Sequence, residues 1–191
     1  NKGNISGKLR GKTLGLIFQK PSNRTRVSFE VGIHQLGGHG VYLGPDEINL
    51  GKREATSDVA QTLSRYVDGI VARTHSHQDI VDLARYSTVP VINGLSDLFH
   101  PCQAMADILT IRENFGTLKG LKLAYIGDGN NVCHSLLLAC AKFGIDMAVA
   151  APKGYFPSEE IFRSAQEIAH HAKSRITLTN NPEEAVKGAH V

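Results

Sequence analysis

Two short segments and one isolated arginine concentrate side chains suited to holding an oxyanion. In Pro21-Ser22-Asn23-Arg24-Thr25-Arg26, two hydroxyls and two guanidiniums fall within five consecutive residues. Arginine offers a planar fork of donors that matches phosphate oxygens, and hydroxyls donate from shorter range. If the segment opens a helix, its unpaired backbone N–H groups and the positive end of the helix dipole add to the same site. His100-Pro101-Cys102-Gln103 offers a ring donor for a carbonyl oxygen on which charge develops, and an amide able to pair with another amide. Arg73 can polarise a carbonyl or bind phosphate. Each feature also has a plainer explanation. Ser22 can cap a helix while the arginines stay solvated, Arg73 can lie on the surface, and Gln103 can fold back onto the start of its own helix.

What raises these residues above that explanation is where the surrounding elements put them. Thr13–Phe18 reads as a strand, and Phe29, Ile33 and Leu36 recur at helical spacing after Pro21-Ser22, until Gly37-Gly38. A short strand at Val41–Leu43 precedes a polar loop over 44–54, then a helix from Ser57 with Val59, Leu63 and Tyr66 on one face. Strands follow at 69–73, 89–93, 123–126, 147–150 and 176–179, alternating with helices at 78–86, 101–114, 131–143, 158–173 and 182–187. Pro101 suits the first position of its helix, and Ser158 suits an N-cap. Strict alternation predicts an α/β protein with two parallel-sheet domains, the second incomplete. The domain boundary is placed near Phe115-Gly116-Thr117, giving domains 1–116 and 117–191. Ser22–Arg26, Arg73 and His100–Gln103 then sit at three strand-to-helix junctions, all on the carboxyl edge where such sheets bind ligands.

Gly127-Asp128-Gly129-Asn130-Asn131 follows a strand and suggests a dinucleotide loop, but the glycine pattern fails at Val132. The next strand ends in Ala150-Ala151-Pro152, with no acid to hold a ribose, so a nicotinamide cofactor is not expected. Asn131 can equally be a helix cap. The three cysteines, Cys102, Cys133 and Cys140, are not spaced as a zinc site; the last two fall on an apolar helix as core thiols and imply a reducing compartment. With 21 basic against 18 acidic residues and no basic run, the +3 formal charge does not suit a nucleic-acid binder. No stretch approaches the ~20 apolar residues of a membrane span. The chain opens on Asn1-Lys2-Gly3 without Met, and Gly188–Val191 reads as the start of a further strand, so both ends read as internal to a longer protein.

Ser22-Asn23-Arg24-Thr25-Arg26 resembles the Ser-Thr-Arg-Thr-Arg phosphate motif of the aspartate/ornithine carbamoyltransferases, and His100-Pro101-Cys102-Gln103 matches their His-Pro-x-Gln motif. Arg73 falls between them, where that family places a carbamoyl-phosphate arginine, and the resemblance extends over essentially all 191 residues. Asn23 departs from the motif's Thr, at a position expected to act through its backbone.

The resemblance implies a carbamoyl-phosphate site made of Ser22, Asn23, Arg24, Thr25, Asn49, Arg73, His100, Pro101, Cys102 and Gln103. Ser22, Arg24 and Thr25 would hold the phosphate. Arg73 and His100, the catalytic pair, would hold the carbonyl oxygen with Thr25, and Gln103 the carbamoyl amide. Arg26 is either a ligand or structural, and the Cys102 thiol is a bystander. No metal or organic cofactor is implied. Asp128–Asn131 resembles the loop of the ornithine branch, in which the second Asn, here Asn131, contacts the amino acid. The aspartate branch resembles His-Ser-Arg-Val on the next turn, whereas His134-Ser135 is followed here by Leu136, so a second substrate carboxylate would lack its arginine. The implied reaction is carbamoyl transfer from carbamoyl phosphate to the side-chain amine of L-ornithine. A sibling acting on putrescine or acetylornithine and a non-catalytic anion-binding module remain open. The loop Glu47–Lys52 resembles one that reaches into a neighbouring subunit, with Asn49 where many ornithine enzymes have Gln. It implies a homo-oligomer, a trimer or a multiple of one, in the cytoplasm, or in the mitochondrial matrix if a transit segment has been removed. The 191-residue chain by itself is expected to be inactive.

Overall fold

Leu16, Ile17 and Phe18 are almost inaccessible to solvent, yet they do not share one core. Leu16 and Phe18 join Val71 on one face of a sheet, packed against Phe29 and Tyr42. Ile17 joins Ile70 and Ala72 on the other face, with Val59, Ala60, Ile80 and Leu83. Alternation between two buried faces is what a parallel strand covered by helices on both sides requires.

The computed structural model describes residues 6–51 and 53–191. Asn1-Lys2-Gly3 and Lys52, both used above, lie outside the described residues. The chain divides into two compact units, one ending at Asp97 and the other starting at Leu98. The first holds β1 (Thr13–Phe18), α1 (Arg24–Gln35), β2 (His39–Leu43), α2 (Pro45–Ile48), α3 (Thr56–Leu63), β3 (Gly69–Arg73), α4 (His77–Tyr86) and β4 (Val91–Leu95). Its sheet is parallel, in the order β2-β1-β3-β4. The chain winds from β1 outward to β2, returns to the far side of β1 as β3, and continues to β4. The winding therefore reverses between β1 and β3, the place on the carboxyl edge where sheets of this kind bind ligands.

The second unit holds α5 (Pro101–Phe115), β5 (Lys122–Ile126), α6 (Asn131–Phe143), β6 (Asp146–Ala150), α7 (Glu159–Ala172), β7 (Ile176–Thr179) and α8 (Pro182–Val186). Its sheet is also parallel, β5-β6-β7. Met147 and Val149 face the main core with α5, α6 and α7, while Ala148 and Ala150 face Ala185 of α8. α6 is buried on nearly every side, which explains its apolar composition. α5 packs on α6 and stops at Gly116, whose φ of 73° is the left-handed cap that glycine tolerates. His190 and Val191 hydrogen-bond through their backbones to Lys122 and Ala124 of β5.

Several local expectations need correction. The 44–54 loop contains α2, started by Pro45 at its first turn. β4 begins at Val91, not Val89, because Pro90 has no N–H for a ladder. Leu36 and Tyr66 are exposed, Tyr66 by 77%, because each lies beyond the last turn of its helix and no longer follows its apolar face. Ser158 occupies the N-cap of α7 but makes no side-chain cap bond. Among the described residues, no helix is long and apolar enough to cross a membrane.

Candidate functional site

In the first unit the anion segment lies at the predicted junction. β1 ends at Phe18, in register with Arg73 at the end of β3. α1 starts at Arg24, with Asn23 at its N-cap making no side-chain cap bond and no acidic residue in its first turn. Ser22 is therefore not the cap, and the plainer explanation for it falls away. The first N–H groups of α1 lack intrahelical acceptors, as at any helix start, and no first-turn carboxylate offsets the positive end of the dipole. Arg24 is exposed and makes no hydrogen bond or ion pair with another described residue.

Arg73 is half-buried and donates from Nη1 to Thr25 Oγ1 at 3.3 Å. Its Nε–H is buried and has no acceptor among the described residues. A buried donor left unpaired costs roughly 1–3 kcal/mol, so a position like this favours an added acceptor. Arg26 is occupied elsewhere. Its Nε pairs with Glu30 at 3.0 Å, and its guanidinium lies 3.5 Å from the centroid of the Tyr42 ring. The hydrogen bond to Glu30 is the main cause of its pKa being raised still further, and these two contacts hold the guanidinium within α1 and β2. Asn49 is exposed at the C-cap of α2, in a left-handed conformation with φ 49°.

One residue not singled out from sequence joins the loops of this unit. Gln19, directly after β1, accepts from the His75 N–H at 2.7 Å and donates to Asp79 at 3.3 Å and to the Leu50 carbonyl at 3.4 Å. Asp79 also accepts from the Thr56 hydroxyl at 3.3 Å. Gln19 thus ties the loop after β1 to the loop after β3 and to the 44–55 loop. A polar residue immediately after a strand at the carboxyl edge was the available signal.

In the second unit His100 is the N-cap of α5, with φ −132° and ψ 66°, and Pro101 opens the helix. No capping box forms: Gln103 donates to Asp107 at 2.8 Å, one turn on, and is exposed. The His100 N–H is held by Ser135 Oγ at 2.7 Å. Cys102 is half-buried, and burial raises its thiol pKa. Cys133 and Cys140 are fully buried, and burial pushes both up to about 12, so they are core thiols as expected.

The Asp128–Asn131 loop resolves its two asparagines. Asn130 is the cap of α6, its Oδ1 accepting from the N–H groups of Val132 at 2.9 Å and Cys133 at 3.2 Å. Asn131 is the first helical residue, so capping does not explain it. Leu136, where an arginine would mark the aspartate branch, is buried in the core. Gly129 donates to the Tyr155 carbonyl at 2.7 Å, and a Cβ on it would lie 2.1 Å from the Pro157 nitrogen. The glycine that looked like a nucleotide fingerprint is there to let two backbones touch. Gly129→Ala is expected to destabilise the protein by about 1–3 kcal/mol or more, because backbone must move to admit the methyl. A chemical-denaturation midpoint equal to wild type would refute this.

A doubly wound parallel sheet here carries an arginine, a hydroxyl and an uncompensated helix start at its winding reversal, an α/β fold with donors of the kind that suit an oxyanion. The family models sharpen this. Residues 1–113 match the aspartate/ornithine carbamoyltransferase carbamoyl-P binding domain, and residues 119–191 match the aspartate/ornithine carbamoyltransferase Asp/Orn binding domain. The chain belongs to the aspartate/ornithine carbamoyltransferase family. It is 58% identical over 181 residues to an ornithine carbamoyltransferase of Bacillus cereus, covering 95% of this chain and 57% of that relative. It resembles the solved ornithine carbamoyltransferase of Pyrococcus furiosus with a TM-score of 0.95 and 53% identity, over 98% of this chain and 60% of that one. A Gloeobacter violaceus ornithine carbamoyltransferase matches with a TM-score of 0.88 and 50% identity, over 96% and 61%. The chain thus spans well under two thirds of the length of these relatives.

Proposed function

We propose that the full-length protein transfers the carbamoyl group of carbamoyl phosphate to the side-chain amine of L-ornithine, forming L-citrulline and releasing phosphate. The observation that carries this reading is Arg73, bonded to Thr25 at the winding reversal and holding a buried N–H with no acceptor among the described residues. Ser22, Arg24, Thr25 and the backbone of Asn23 take the phosphate. The neutral amine attacks the carbamoyl carbon, the C–O bond to phosphate breaks, and the amine loses a proton. Charge accumulates on the carbonyl oxygen in between, and Arg73, Thr25 and His100 are the donors assigned to stabilise it. Gln103 takes the carbamoyl amide, with Pro101 and Cys102 shaping the turn between it and His100. Asn131, one position after the cap Asn130, contacts the ornithine. Leu136 in the core supports a cationic amino acid over one with a second carboxylate.

Domains of 1–116 for carbamoyl phosphate and 117–191 for part of the amino-acid side are supported by the Gly116 cap and by the limits of the two family-model matches. A homotrimer sharing its sites through the loop around Asn49, in the cytoplasm, completes the reading. Citrulline formation from ornithine and carbamoyl phosphate is the direct test. Turnover with putrescine or acetylornithine instead would shift the substrate, and binding without any turnover would leave only an anion-binding module.

Arg24 gives a separate check. Its guanidinium makes no hydrogen bond or ion pair with another described residue, so Arg24→Ala removes a ligand contact and little else. A charge-assisted contact of ~1.5–3 kcal/mol predicts at least a roughly tenfold weaker Kd for carbamoyl phosphate by calorimetry. An unchanged Kd would remove Arg24 from the site.

A further inference from the structure

The second unit contains a buried polar pair that the proposed chemistry does not use. His134 and Ser135 are 7% and 5% exposed, on a helix otherwise packed with apolar residues. Buried polar side chains persist where their hydrogen bonds fix something. The Ser135 hydroxyl accepts from the His100 N–H at 2.7 Å and donates to the Asn131 carbonyl at 3.0 Å. One hydroxyl therefore spans the backbones of His100 and Asn131. His134 reaches two further segments. Its Nδ1 is 3.0 Å from the Leu98 carbonyl, and the Ser158 N–H donates to its Nε2 at 3.0 Å. An Nε2 that accepts is unprotonated, so these partners select the neutral tautomer with the proton on Nδ1, donated to Leu98. The Phe99 ring packs edge-on against the imidazole, 6.2 Å between centroids.

We propose that Ser135 and His134 are positioning residues that set His100 in register with Asn131. His134 fixes the segment Leu98-Phe99 leading to His100, and Ser135 locks the His100 backbone to the first residue of α6. The inference rests on the reading that His100 serves the carbamoyl carbonyl and Asn131 the amino acid. Under it, the pair sets the distance between the two reacting partners, and neither side chain touches a substrate. Rate then depends on this register far more than phosphate affinity does, because the phosphate ligands lie in the first unit.

The test uses the full-length protein and Ser135→Ala, a substitution that keeps a good helix former. The expected result is a kcat about ten- to a hundredfold lower, since misplacement of reacting groups by about 1 Å can cost that much. The calorimetric Kd for carbamoyl phosphate should stay within about threefold of wild type, and amide exchange at His100 should speed up. In the wild type, nitrogen-15 spectra at neutral pH should show His134 as the Nδ1–H tautomer. A wild type that forms no citrulline overturns the proposed reaction, and this inference with it. An active wild type whose kcat survives Ser135→Ala, or a variant losing kcat and phosphate-side affinity in parallel, overturns this inference alone. An Nε2–H tautomer or an imidazolium overturns the role given to His134.

Discussion

His100→Ala in the full-length protein should lower kcat by about 10²–10³-fold, the usual effect of removing one donor to a developing oxyanion. Affinity for carbamoyl phosphate should change far less, because the ring is assigned to the transition state. His100 makes no side-chain cap bond to α5, and its backbone is held independently by Ser135. The backbone bond to Ser135 does not depend on the ring, so it survives the substitution. Steady-state kinetics alongside calorimetric binding decide the matter. Equal losses of affinity and rate would make His100 a ground-state contact, and unchanged kinetics would remove it from the chemistry.

Arg73→Ala should be as damaging. Arg73 is assigned to the carbonyl oxygen on which charge develops, so removing this donor should lower kcat/KM on the order of 10²–10³-fold. Arg73→Lys should recover little of it, since an ammonium is a point charge without the fork. Stability should move the other way. The Nε–H of Arg73 is buried without an acceptor among the described residues, so replacing the side chain with methionine removes an unsatisfied donor at similar volume. The ligand-free Arg73→Met protein should melt no lower than wild type. A marked drop in Tm would show that Arg73 is held for the fold and not for a ligand.

Much of this architecture was legible in the sequence because the decisive signals are local. Gly69–Arg73 and Asn131–Phe143 read as a strand and a helix with the bounds they have, since β-branched runs and apolar periodicity act over a few residues. Features set by contacts distant in sequence were not legible. Nothing near Arg26 announces Tyr42, which reaches it only once β2 lies beside β1. The adjacent Asn130 and Asn131 are chemically identical, and which one caps depends on where the helix begins, to within one residue. Gly129 resembled a nucleotide loop because a glycine admitting a phosphate and a glycine admitting another backbone look alike in sequence. Ser135 and Gln19 have partners 35 and 31–60 residues away, beyond any periodic pattern.

The left-handed backbone at Asn49 bears on which sequences this loop can accept. Left-handed backbone geometry is open to glycine and tolerated by asparagine and aspartate, but it disfavours longer side chains. The residue that keeps the turn is therefore a short one, and a glutamine there would gain reach only by straining the chain. A saturation library at position 49, sorted first for folded protein and then for activity, should return different winners. Glycine and aspartate should pass the first sort and fail the second, leaving asparagine where the two selections overlap.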